Sequence, residues 1–332
     1  MNTFGETIRM TVFGESHGAA VGVVLDGFPA GEEIDMDKLR EQMARRAPGS
    51  TDLGTSRTET DEPYLMSGVL GGHSTGSPIL ALVRNEDANS ASYHPELLRP
   101  GHADYVAKVK FRGYSDYRGG GPFSGRLTAA FVLAGAICRQ SLERRGIDVS
   151  SHIVQVGQYK GEDMDFAMKK EIVDARAAGD SIGSVVECAA QGVPAGTGGL
   201  MFGGLESRIA ALMFAIPGVK GVEFGAGFAL ASMRGSAAND PIRIEDGHVV
   251  MESNHAGGIN GGLANGMPIV VRAVLRPTPS IAREQRSVNL NTMENTTIRI
   301  SGRHDPCLAP RAQPVCEAAL AFCVLDALLG SA

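Results

Sequence analysis

Short apolar runs open the chain. TIRMTVF at 7–13 and VGVVLDG at 21–27 read as two strands, with the turn-like GESHG at 14–18 between them. The period then changes. Ile34, Met36, Leu39 and Met43 follow helical spacing behind Asp35, a good N-cap, and Pro48-Gly49 stops that helix after Ala47. Residues 50–63 are polar and loop-like, and strands follow at about 64–70 and 78–84. After a basic stretch, LTAAFVLAGAICRQSLERRG predicts a long apolar helix from near Ser124 to Gly146.

The second half of the chain resembles the first. GFPAG at 27–31 recurs as GVPAG at 192–196, each after an apolar strand (VGVVLD; SVVECAAQ). Each turn precedes an amphipathic helix, the second being LESRIAALMFAI at 205–216. GGHSTGSPIL at 71–80 aligns without a gap on GGLANGMPIV at 261–270. Two matches in the same order predict an internal duplication. The expected organisation is one unit, 1–332, built of similar β–α–β halves spanning about 1–150 and 151–332. Farther on, RPTPSIAREQRSVN at 276–289 is basic and loop-like, RIS at 299–301 ends a short strand, and AQPVCEAALAFCVLDALLG at 312–330 is a closing apolar helix.

Composition sets bounds. A chain of 332 residues, 43% hydrophobic and 20% charged, is an ordinary soluble globular protein able to bury a large core. The net charge of −6 argues against bulk nucleic-acid binding. No apolar run approaches the ~20 residues of a membrane span, and MNTFGETIRM lacks a signal-peptide core. Cys138, Cys188, Cys307, Cys316 and Cys323 are odd in number, form no CxxC and mostly sit in apolar segments, so they read as reduced core residues of a cytoplasmic protein. With no HExxH, paired CxxC or EF-hand spacing, no metal site is expected.

Charge is unevenly placed. Arg99–Arg126 holds six basic side chains and two acids, and Arg272–Arg311 seven arginines and three acids. Two such basic systems in an acidic chain would converge on one anionic site. His102 lies in PGHAD, where Asp104 could orient its ring. Tyr117–Gly121, followed by Ser124-Gly125-Arg126 and a helix start, suits a phosphate or flavin cradle, although no GxxxxGK[ST] is present. Gly14–Gly18 matches the G-x-S-x-G nucleophile elbow, but that motif needs a helix after the serine and VGVVLD reads as a strand. A loop presenting His17 at a strand end is the better reading. Taken singly, His17, His102 and Asp305 are each as well explained as structural residues.

Together these stretches resemble the chorismate synthase family. The matching pieces are FGESHG (13–18), RR-x-PG (45–49), TSRTETD (55–61), RPGHADY (99–105), DYRGGG (116–121, with Arg118 after Tyr117), SGR (124–126), GVPAG (192–196), A-x-x-GVKGVEFGAGF (215–228), SNHAGGINGG (253–262), RPTPSI (276–281) and GRHDPC-x-x-PRA-x-PVCEA (302–318). The resemblance implies an α+β fold, a β–α–β sandwich of two pseudo-symmetric halves with helices between antiparallel sheets. It implies a cytoplasmic homotetramer without nucleic-acid or membrane partners. The implied activity is a carbon–oxygen lyase reaction: anti-1,4-elimination of phosphate and a proton from 5-enolpyruvylshikimate 3-phosphate, giving chorismate. Reduced FMN is required without net redox change, and NADPH is a candidate reductant.

The same resemblance implies the site. His17 would be the general acid at the leaving phosphate, His102 the group that protonates the reduced flavin, and Asp305 the acid near its reactive nitrogen. Arg46, Arg126, Arg303 and Ser16 would bind substrate. Pro122, Phe123, Ser124, Pro217, Gly218, Gly261, Arg276, Pro277, Thr278, Pro279, Ser280 and Arg303 fall where the family contacts FMN. Departures occur: the family often reads GGGRSSxRET where this chain has GGGPFSGRLT, and Asp52 stands where a second basic residue is expected six after Arg46, with Arg57 a candidate substitute. Two other classes remain open. A flavin-dependent NAD(P)H oxidoreductase is disfavoured by the absence of GxGxxG after a strand; the other is a non-catalytic phosphate- or flavin-binding protein.

Overall fold

The alternation near the N-terminus folds as the strands Arg9–Gly14 and Ala20–Asp26, paired antiparallel from Arg9↔Asp26 to Gly14↔Val21. Val21, Val23 and Leu25 are buried on one face, as a two-residue period requires. The computed structural model describes residues 2–49, 53–54, 60–86, 93–300 and 304–331. In it these strands join a five-stranded antiparallel sheet ordered Thr3–Phe4, Arg9–Gly14, Ala20–Asp26, Ile79–Arg84, Tyr64–Ser67. A second five-stranded antiparallel sheet is ordered Tyr159–Lys160, Asp148–Val156, Ser184–Gln191, Ile269–Leu275, Val219–Phe224.

The helices are α1 (Met36–Arg46), α2 (Asp104–Lys110), α3 (Thr128–Glu143), α4 (Phe166–Ala177), α5 (Leu205–Ala215), α6 (Gly235–Ala238) and α7 (Ala309–Gly330). α3 packs on the first sheet, α7 on the second, and the two helices pack on each other, with α1 and α5 beside them. The architecture is therefore α+β, sheet on helices on sheet. α3 and α7 are apolar nearly all round because they are covered on every side. By length and hydropathy α7 could cross a membrane, contrary to the reading of its apolar runs, but 83% of its most apolar stretch is buried inside the protein.

The α3–α7 crossing depends on one glycine. A Cβ on Gly135 would lie 2.3 Å from Ala318 Cβ and 2.4 Å from its Cα. Two buried acids on α7 tie the layers together. Glu317 accepts both Arg45 nitrogens at 2.8 and 3.0 Å, Ser151 Oγ at 2.6 Å, and Arg139. Asp326 accepts the backbone N–H groups of Glu6, Thr7 and Ile8 at 3.0, 2.8 and 2.9 Å, together with Arg208.

Local signals set most boundaries. Asp35 caps α1, its Oδ1 accepting the N–H groups of Asp37 and Lys38 at 2.8 and 3.2 Å. Ser124 caps a one-turn 3₁₀ helix, Gly125–Leu127, and this tight turn delays α3 to Thr128. α7 starts three residues before the expected Ala312, with Pro310 in its first turn, where its missing N–H costs nothing. The basic stretch is not loop throughout, since α2 lies within it. Residues 284–289 also depart from the loop reading: Glu284–Asn289 pairs with Glu294–Arg299. That hairpin is polar on both faces, so no hydrophobic alternation marks it.

Matched positions of the two halves carry matched backbone bonds. Gly31 N–H donates to Ser74 O and Gly196 N–H to Ala264 O, both at 2.8 Å. Ser74 N–H donates to Glu32 O at 2.9 Å, and Ala264 N–H to Thr197 O at 2.8 Å.

Gly135→Val should cost about 2–3 kcal/mol, because two packed backbones would have to part. A denaturant midpoint unchanged from the parent chain would contradict the close crossing.

Candidate active site

The turn after Arg9–Gly14 carries Ser16 and His17. Gly14 makes the turn at φ +100°, and Asn85, just past Ile79–Arg84, pins it from below. Asn85 Nδ2 donates to Glu15 O at 3.0 Å and Gly18 O at 2.8 Å. Its Oδ1 accepts Arg126 Nε at 2.8 Å, so one amide links the histidine turn to an arginine. His17 meets Tyr93 edge to face, ring centroids 5.4 Å apart.

The triple glycine lies against both histidines. A Cβ on Gly119 would sit 2.4 Å from His17 Cδ2 and 2.6 Å from Ser16 Oγ; one on Gly120 would sit 3.1 Å from His102 Cε1 and Nε2. All three glycines have positive φ, so the run needs glycine for conformation as well as for space.

His102 Nδ1 lies 2.6 Å from Asp104 Oδ1. Arg99 grips the same carboxylate with Nε at 2.8 Å and Nη2 at 2.7 Å. Burial pushes the Asp104 carboxyl up, but its hydrogen bonds to Arg99 and His102 outweigh burial and hold it well below the usual carboxylate range. An ionised Asp104 accepts, so Nδ1 of His102 is the protonated nitrogen.

Arg46 and Arg126 meet at a buried acid that no prediction singled out. Arg46 Nη1 donates to Asp61 Oδ2 at 2.6 Å, and Arg126 Nη1 donates to Asp61 Oδ1. Burial pulls Arg46 down to about 10, with Arg311 and Arg126 adding repulsion that Asp61 only partly offsets. Burial raises Asp61, and the two guanidiniums more than reverse it, leaving it below its ordinary value. Arg311 reaches Asp305 Oδ2 at 2.8 Å and Arg46 O at 3.2 Å. Thr278 Oγ1 donates to Asp305 O at 2.8 Å, and Arg276 Nη1 to Gly101 O at 2.8 Å, joining the two basic segments.

These groups line one cavity of about 910 Å³. Ser16, His17, Arg46, His102, Pro122, Phe123, Ser124, Arg126, Pro217, Gly218, Arg276, Thr278, Pro279, Ser280 and Asp305 all contribute to its wall. A model of the chorismate synthase family matches residues 8–329. The chain belongs to the chorismate synthase family. It is 46% identical to a chorismate synthase of Thermococcus kodakarensis, over 98% of this chain and 97% of that one. A Korarchaeum cryptofilum chorismate synthase is 44% identical over 99% and 97%. A crystal structure of a chorismate synthase superposes with a TM-score of 0.77 at 29% identity, covering 98% of this chain and 93% of that one. Membership makes the chain a lyase acting on a phosphate ester.

Two residues matched to the chorismate synthase pattern stand apart from the cavity wall. Pro277 packs toward Gly183 behind it. Gly261 lies in the turn between Asn260 and Leu263, by the start of α5, where Leu205 N–H donates to Gly262 O at 2.9 Å. The cavity meets the other end of α5, at Phe214 and Ala215. Arg303, Asp52 and Arg57 lie outside the described residues.

The sequence reading missed Asp61, Asn85, Tyr93, Arg99, His304 and Arg311 as site residues; all but Asp61 and Asn85 line the cavity. Asp61, Arg99, His304 and Arg311 sit inside quoted motifs without an assigned role. Asn85 and Tyr93 fall outside every motif, and only the fold brings them in.

Asp104 yields a pH test. Its folded pKa lies below the ordinary carboxyl value of 3.8, so its stabilisation is present above that pH and disappears as the pH falls through the folded value. Asp104→Asn should lower the denaturation midpoint near neutral pH, with the gap to the parent chain narrowing below about pH 4. A gap that stays constant down to pH 2 would show that the shift is absent.

Proposed function

We propose that this chorismate synthase family member eliminates phosphate and a proton from 5-enolpyruvylshikimate 3-phosphate, using reduced FMN. The observation carrying this reading is the convergence of His17, His102, Asp305 and the Arg46–Arg126 pair on one cavity. At about 910 Å³ it stands near the top of the range for ligand pockets, roughly 300–1,000 Å³, which suits a flavin and a substrate held together.

The wall fits an anionic flavin mononucleotide. Phe123, Pro122 and the Pro217-Gly218 turn offer flat apolar contact, and Arg276, Thr278 and Ser280 offer polar contact. Gly120 keeps the backbone close against His102. Reduced FMN, when bound, supplies electron density to the substrate and takes up the C–H proton. The remaining chemistry belongs to the chain. Arg46 and Arg126 hold the substrate's anionic groups in forked, charge-assisted hydrogen bonds. His17, joined to Arg126 through Asn85, gives a proton to the departing phosphate. His102, with Nδ1 engaged by Asp104, sets the protonation of its flavin neighbour. Asp305, held by Arg311, would assist the bound flavin in taking up that proton.

We further propose that the two halves, 1–150 and 151–332, derive from one unit; the matched backbone bonds of the 27–31 and 192–196 turns support this. A cytoplasmic homotetramer is also part of the proposal. Leu200, Phe202 and Phe228 expose apolar surface that such an assembly would cover.

The test is anaerobic release of phosphate from the substrate, with FMN reduced by dithionite or by NADPH. No phosphate under either condition would refute the reading. NADPH oxidation without phosphate would indicate an oxidoreductase. His17→Ala and His102→Ala should each slow turnover by roughly 10²–10⁴ if each moves a proton; near-parental rates would remove that role.

A further inference from the structure

Asp61 has no part in the chemistry above, yet its placement is unusual. Its side chain is fully buried, and each carboxylate oxygen takes a different arginine: Oδ2 from Arg46 and Oδ1 from Arg126. Its backbone lies at φ +50°, a left-handed conformation that non-glycine residues adopt rarely and aspartate tolerates better than most. The two arginines come from separate elements, the last turn of α1 and the 3₁₀ turn before α3. Both are themselves buried, at 1% and 3% side-chain exposure, so their like charges face each other with little water between them.

We propose that Asp61 is a positioning residue that makes Arg46 and Arg126 into a single phosphate-binding pair. The inference rests on reading those arginines as the substrate's anion site. Each guanidinium also meets acceptors of other kinds among the described residues. Arg46 also donates from Nε to Thr128 Oγ1 at 3.3 Å and from Nη2 to Gly125 O at 3.1 Å. Arg126 donates from Nε to Asn85 Oδ1 at 2.8 Å and from Nη2 to Arg84 O at 2.9 Å. Asp61 is an acceptor they share, and it carries charge. It aligns the two forks and cancels one of their two positive charges. What remains suits an anion arriving at the cavity wall, to which both arginines contribute. An amide in its place would turn an N–H donor toward one guanidinium, which has only donors, and that arginine would be pushed out of register.

The experiment uses the FMN-loaded protein, with inorganic phosphate as calorimetric probe and the substrate for kinetics. Asp61→Asn keeps the size and tolerates the same backbone conformation. It should weaken phosphate binding about 10- to 100-fold, the equivalent of losing a charge-assisted hydrogen bond. Substrate KM should rise more than kcat falls, with the dissociation constant for FMN unchanged. A merely structural role would move FMN affinity as well. Phosphate binding that is unchanged or tighter in Asp61→Asn overturns the proposal, because the carboxylate would then only oppose the anion. If that variant does not fold, Asp61→Glu, which keeps the charge but moves it, carries the same test: weaker phosphate binding supports the proposal and parental affinity overturns it. Arg46→Lys and Arg126→Lys separate the two layers of inference. If neither weakens phosphate binding, the reading of the arginines itself fails and takes the role of Asp61 with it.

Discussion

Helices buried on every side must give each polar group a buried partner or place it at an end, and that constraint organises this molecule. α3 and α7 cross at Gly135 and Ala318, and the buried acids within α7, Glu317 and Asp326, are each met by arginines. Both begin at the cavity: Arg126 and Thr128 at the start of α3, Leu308 and Arg311 at the start of α7. Their positive dipole ends therefore lie at one place, and an anion is what such a place favours. α1 arrives with its other end, bringing Arg46, which burial would make costly without Asp61 and the backbone oxygen of Gly125.

The glycine run shows the same economy at closer range. Read by composition, Gly119–Gly121 is a phosphate or flavin cradle. In the fold its first two members are pressed against the His17 and His102 rings, the first too close for any side chain and the second with little room for one. One segment thus spaces two imidazoles that lie 85 residues apart in the chain. It adjoins the cavity as well, so spacing the histidines and bedding a ligand are compatible uses of the same bare backbone.

Much of this was legible in the sequence, for identifiable reasons. The 7–27 strands, α1, α5 and the two apolar helices announce themselves because each buries a face or a whole surface, and burial writes a period into the sequence. The hairpin of 284–299 stayed hidden because both its faces are polar. α2 was obscured by lysines and a tyrosine on a helix that buries only Ala107. The motifs located His17, His102 and Asp305, and PGHAD already put Asp104 against the His102 ring, but they were silent on what holds the other two. Asn85 and Tyr93 belong to no motif, and their work depends on where a strand end and a loop happen to meet the histidine turn.

Asp61 was equally illegible for a different reason. An aspartate in a polar stretch reads as a solvated loop residue, and the TSRTETD motif that ends on it assigns it no role. Its meaning comes from two arginines that lie 15 and 65 residues away and reach it from opposite sides. Isolated buried charges are expensive, and a pair of like charges more so, so a fold that keeps two arginines in its interior must supply a counter-charge between them. That requirement makes the acid a consequence of the anion site. A cavity able to attract a phosphate ester with buried guanidiniums has to store those guanidiniums while it is empty, and one carboxylate bridging both stores them already aligned.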